Sequence, residues 1–142
     1  MQEQPWEIAA IIGLPNPNRV TFLDLALQCE NGLPVKCLYA LAQAFAPNEQ
    51  VFLDFIFSPT TLRRRQQCGK LSAEESDLLI RVADTWLMAC DIFGTNEKAR
   101  RFLFSEHSLL GSRHPFTLTA SNAAGAQAVE QVLGRLTYGS AA

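Results

Sequence analysis

The tetrapeptide Ser72-Ala73-Glu74-Glu75 constrains this chain more than any other stretch, because it opens the longest helix. A serine followed three residues later by a glutamate is a capping box. The Ser72 hydroxyl takes the Glu75 amide, and the Glu75 carboxylate returns to the Ser72 amide. Beyond the box, Leu78, Val82, Trp86 and Cys90 recur at i,i+4, and Leu79, Ala83 and Leu87 make a second row beside them. Two adjacent apolar rows are wider than one packing contact needs. The spacing predicts a helix from about Ala73 to Phe93, ended by Gly94, that two lobes share.

The remaining punctuation is also helical. Thr21 caps a helix carrying Phe22, Leu25 and Ala26, which stops at Asn31-Gly32. Pro34 suits a first turn, and Leu38, Leu41, Ala42 and Phe45 follow at helical spacing up to Pro47. Glu49 to Phe57 places Val51, Phe52, Phe55 and Ile56 on one broad face; no second strand exists to pair with it, so it reads as helix. Ser58-Pro59 restarts the chain as an N-cap and a first-turn proline, opening a helix over Thr60 to Gln67. Thr95 caps a helix with Ala99, Phe102 and Leu103 facing inward and Lys98, Arg100 and Arg101 outward. A loop from Ser105 to Arg113 and a short turn from Pro115 come next. Ser121 or Asn122 then caps a last helix with Ala126, Val129, Leu133 and Leu136 aligned, ending at Tyr138-Gly139 before the small uncharged tail Ser140-Ala141-Ala142.

At 142 residues the chain has room for one domain or two small helical lobes. Its four cysteines, Cys29, Cys37, Cys68 and Cys90, form no CxxC pair, and His107 and His114 no HxxxH pair, so no metal site is expected. Met1 to Gln4 lacks a basic leader and the apolar run Ile8–Leu14 is too short to span a bilayer, which predicts a cytoplasmic protein without membrane contact. There is no GxSxG, no Walker A and no GxGxxG. Ser105-Glu106-His107-Ser108 gathers reactive residue types without a scaffold to orient them. No catalytic residue and no cofactor are assigned.

The net charge of −2 conceals a local pattern. Residues 58–71 carry Arg63, Arg64, Arg65 and Lys70 and no acid, while the segments on either side are acidic. One basic island in an acidic protein suits either a local anionic contact or a solvated helix face. Successive side chains on a helix fan out by about 100°, so the three arginines divide between phosphates and a base edge. Thr60 and Thr61, at the helix start, are placed for phosphate or thymine. Short helix, short turn, short cationic helix is the helix-turn-helix arrangement.

Several short motifs, in order, resemble one family. They are Gly32-Leu33-Pro34, Thr61-Leu62-Arg63-Arg64-Arg65, Leu71-Ser72, Glu75-Ser76-Asp77 with Arg81, Ala89–Gly94, and Lys98–Leu103. Leu110-Gly111-Ser112-Arg113-His114-Pro115 and Val132-Leu133-Gly134-Arg135-Leu136-Thr137-Tyr138-Gly139 complete the set. Together they resemble the Xre/MbcA/ParS antitoxins of RES-domain toxins. Phe102 stands where that family usually has tryptophan, Glu106 where it often has proline, and Phe57-Ser58-Pro59 replaces the usual small-residue turn.

The resemblance implies an all-α fold: an Xre-like helix-turn-helix lobe over residues 1–70 and a helical toxin-binding lobe over 71–142. It implies an antitoxin that covers the active-site entrance of a NAD-acting RES toxin and represses its own operon. The element that enters the toxin would be Arg135, Tyr138 and Gly139, with Arg100, Arg101, Leu110, Gly111, Arg113 and Pro115 holding the toxin surface. Tyr138 equally suits ordinary packing on its helix, and Gly139 simple termination. Operator contacts would come from Thr60, Thr61, Arg63, Arg64 and Arg65, presented by a homodimer, because one small helix buries too little surface for specificity. The partners implied are the RES toxin, a second copy, the hetero-oligomer with toxin, and operator DNA. A helix-turn-helix regulator without a toxin, or a small helical enzyme, are the competing readings.

Overall fold

Caps and proline starts set the helices. A computed structural model describes residues 4–139, with Tyr138 and Gly139 described in backbone only. The tail Ser140-Ala141-Ala142 lies outside the described residues. Nine α-helices run α1 (Pro5–Ile11), α2 (Phe22–Asn31), α3 (Val35–Ala44), α4 (Glu49–Ile56), α5 (Pro59–Cys68), α6 (Ala73–Phe93), α7 (Asn96–Leu103), α8 (Pro115–Ser121) and α9 (Ala123–Gly139) among the described residues. They contain no strand, so the all-α reading holds. No described helix is long and apolar enough to cross a membrane.

The capping box forms as the spacing predicts: Glu75 N donates to Ser72 Oγ at 3.1 Å and Ser72 N to Glu75 Oε1 at 2.7 Å. Thr21, Ser58 and Thr95 cap α2, α5 and α7. Asn122, not Ser121, caps α9, its Oδ1 accepting from Gly125 N at 2.7 Å. Helix α1 was not legible from the apolar run alone; Pro5 at its first turn and Glu7 accepting from Gln4 N are the signals that mark it.

The chain divides into two compact units that meet within α6, between Ile80 and Arg81. In residues 4–80, Leu38 and Leu41 of α3 and Phe45 at its C-cap are fully buried, and the Phe45 ring lies 5.0 Å from that of Phe52. A short clasp ties the start of α3 to the end of α5. Leu71 N donates to Leu33 O at 2.8 Å, and Val35 N to Gly69 O at 3.1 Å. The buried Ser76 hydroxyl completes it, accepting from Leu33 N and donating to Ser72 O, each at 2.8 Å. Gly32 is required here, at φ +91°, because an added Cβ would sit 2.3 Å from Leu71 O. Ala26 and Phe22 of α2 are exposed, and Leu25 is that helix's buried residue; the stripe existed, but its outer members have no described neighbour to cover them.

In residues 81–139, Val82, Ala83, Trp86 and Ala89 of α6 are buried, as are Phe116, Ala120, Val129, Val132 and Leu133. Arg81 uses its guanidinium as a fork, Nε to Thr119 O at 2.7 Å and Nη2 to Ala120 O at 3.0 Å. It satisfies the last carbonyls of α8, where a cation also complements the helix dipole. Helices α8 and α9 pack closely because Gly125 presents no side chain to the Leu118 carbonyl.

Candidate functional site

Two surfaces stand apart from the cores. The first is α5. Phe57 is buried just before it, and Ser58 Oγ accepts from Thr61 N at 3.2 Å. No side chain of α5 itself is buried, so polar ties attach the helix. Gln66 bonds the Tyr39 hydroxyl, and Arg65 Nε meets Glu75 Oε1 at 2.7 Å with the two side chains only 23% and 18% exposed.

The arginine triplet is therefore divided. Arg63 and Arg64 are exposed, as is Thr60, while Arg65 is committed to Glu75 and Thr61 to the cap through a 3.0 Å bond from Ser58 Oγ. Sequence spacing showed three cations in a row but not the carboxylate that one of them would meet across α6.

Partial burial works to raise the Glu75 carboxyl pKa. The Arg65 guanidinium and the Ser72 amide and hydroxyl outweigh it and hold the group below the usual carboxylate range. A depressed folded pKa adds stability that is present above the unfolded pKa and lost as pH falls through the folded one. Glu75→Gln should destabilise the protein by about 1 kcal/mol near pH 7. In denaturation curves at stepped pH, the gap between variant and wild type should close below about pH 4.

The second surface lies in residues 81–139. Phe93, Phe102 and His107 form an aromatic series, with ring centroids 5.2 Å and 5.9 Å apart. The loop after α7 is tied around His107: His107 N donates to Arg113 O at 3.2 Å, and Ser112 N and Leu110 N both donate to His107 O at 3.0 Å. Gly111 and Ser112 adopt consecutive left-handed conformations at φ 64° and 58°.

Ser105 Oγ donates to Arg101 O at 2.5 Å and His107 Nδ1 accepts from Leu109 N at 3.3 Å. Each bonds the backbone of its own segment, an arrangement of loop closure rather than of nucleophile and base. Leu136 is 36% exposed, whereas Val129 and Leu133 are fully buried. It lines a cavity of about 330 Å³ with Phe93, Lys98, Arg101, Phe102, Ser105, Glu106 and His107.

Arg101 and Arg113 are exposed and Arg100 is half-buried, while Gly111 is exposed with open space around it. Leu110 and Pro115 are buried. In the isolated chain those two side chains therefore shape the loop from inside. Arg135 is exposed. Gly139 is the last residue of α9, and the Tyr138 side chain lies outside what is described. Burial also raises the thiols: Cys29 is pushed up to about 11 by burial and then by the Asp77 charge, and Cys37 is raised by burial. Among the described residues no group of three His, Cys, Asp or Glu is arranged to hold a metal ion.

Residues 24–84 match the Antitoxin Xre-like helix-turn-helix domain, and residues 88–139 match the Antitoxin Xre/MbcA/ParS C-terminal toxin-binding domain. The chain belongs to the Xre/MbcA/ParS antitoxin family. Its helix-turn-helix domain contains α4 and α5, and its toxin-binding domain contains all the described residues that line the Phe93–Phe102 cavity. Neither matched domain is a catalytic family. No curated protein matches the antitoxin with significance.

Proposed function

We propose that this antitoxin neutralises a RES-type, NAD-acting toxin by carrying the end of α9 into the toxin's active-site entrance, and that it represses its own operon through α5. The observation that supports the first role best is that α9 outlasts its own core. Val129 and Leu133 are fully buried, whereas Arg135, Leu136 and Thr137 are all exposed. A helix end so placed is free to enter another protein. Arg135 supplies a planar cation suited to nucleotide phosphates or the acidic groups around them, and Tyr138 a large amphipathic anchor.

The test is co-expression with the product of the neighbouring reading frame. The two should co-purify, and the partner's NAD turnover should stop at equimolar antitoxin while the isolated antitoxin shows none. NAD turnover by the antitoxin alone, or undiminished turnover in the complex, overturns the reading.

For the operator role, Thr60, Arg63 and Arg64 are the exposed contacts on α5. A homodimer presenting two such helices is supported by Phe22, Leu23 and Leu27 of α2, which are 51%, 68% and 52% exposed. Changing Arg63 and Arg64 to alanine should weaken operator binding and flatten its salt dependence, by roughly 0.9 in the log–log slope for each phosphate no longer neutralised. Melting temperature and toxin binding should be unchanged, because neither side chain is buried or paired. Operator affinity equal to wild type across a salt series would reduce the island to a solvated face.

A further inference from the structure

We infer that the cavity between α7, the loop that follows it and the end of α9 receives one large apolar side chain of the toxin, carried on an acidic segment. This rests on the proposed toxin-neutralising role and names the chemistry of its contact. Three observations support it.

The apolar stripe of α9 does not end where the core ends. Leu136 continues it and is left to line an open space with Phe93 and Phe102. At about 330 Å³ that space would otherwise hold roughly ten waters against three apolar walls.

The rim is rich in donors. Lys98 has no ion-pair partner among the described residues, and Arg101 is paired at 3.1 Å with Glu97 in a fully solvated contact, both about 70% exposed. His107 lines the same mouth, its Nδ1 accepting the Leu109 amide. Glu106 is the single carboxylate among the described residues of the lining. Such a mouth favours carboxylates beside the apolar anchor and disfavours a basic segment.

Every described residue of the lining also falls within 88–139, the toxin-binding domain. The occupant is therefore the toxin rather than a second copy of this chain.

The test fills the cavity from within. Leu136→Trp in the full chain should keep or raise the melting temperature while weakening toxin binding at least about thirtyfold by calorimetry. Lys98→Glu, at an exposed position, should slow association about tenfold at low salt. Photo-leucine at position 136 should crosslink to a toxin segment holding a large apolar residue next to Asp or Glu.

Wild-type binding to the co-expressed toxin together with undiminished binding by both variants overturns the inference and leaves the neutralising role standing. So does a crosslink to a basic segment, or a Leu136→Trp effect confined to self-association in sedimentation. Failure of the wild-type antitoxin to bind the toxin overturns both.

Discussion

Deleting residues 135–142 is expected to abolish protection against the toxin while leaving a folded protein. The buried staves of α9 are Val129, Val132 and Leu133, at 0%, 3% and 0% exposure, and all precede the cut. The described side chains removed are exposed ones, and among them the only large apolar cover is that of Leu136, a cost of about 1 kcal/mol. If the helix end is the inhibitory element, growth rescue should vanish and NAD turnover by the toxin should return, an effect of several orders of magnitude. Circular dichroism and melting of the truncated chain separate this from unfolding. A folded truncation that still silences the toxin moves the inhibitory contact to Arg100, Arg101 and the Gly111–Arg113 turn.

Gly125→Ala is expected to be strongly destabilising although it adds a single methyl group. An added Cβ would lie 2.1 Å from Leu118 O and 2.8 Å from its carbonyl carbon. Both are backbone atoms, so relief requires moving α8 against α9. That shift would strain the Arg81 fork on Thr119 and Ala120 and the Phe104–Phe116 ring contact at 5.0 Å. Alanine's better helix propensity recovers about 1 kcal/mol. The net loss should be about 2–3 kcal/mol, a fall in melting temperature on the order of 7–10 °C. A melt indistinguishable from wild type would show that the two helices can part without cost.

Local chemistry made most of the fold legible. Ser72 with Glu75, Ser58 with Pro59, and Thr21 and Thr95 each set a helix start because a cap is satisfied by residues within one turn. What the sequence hid depends on partners distant along the chain. Arg65 looked like its neighbours until Glu75 claimed it from α6. Leu110 and Pro115 sit in a motif that resembles a toxin-binding turn, yet their side chains are interior. Leu136 fits the periodicity of a core residue, and periodicity cannot say that it stays 36% exposed while Val129 and Leu133 are fully buried. The candidate surface was thus readable as a region, and its cavity was not.

The attachment of α5 has an evolutionary consequence. Because none of its side chains is buried, positions 60, 63, 64 and 67 are free of folding constraint. A duplicated gene can therefore drift to a new recognition sequence in single steps, each with an intact protein. Arg65 and Gln66 anchor the helix while its outer face varies. Under the proposed operator role, paralogous antitoxins in one genome can in this way stop cross-repressing each other long before their toxin-binding domains diverge.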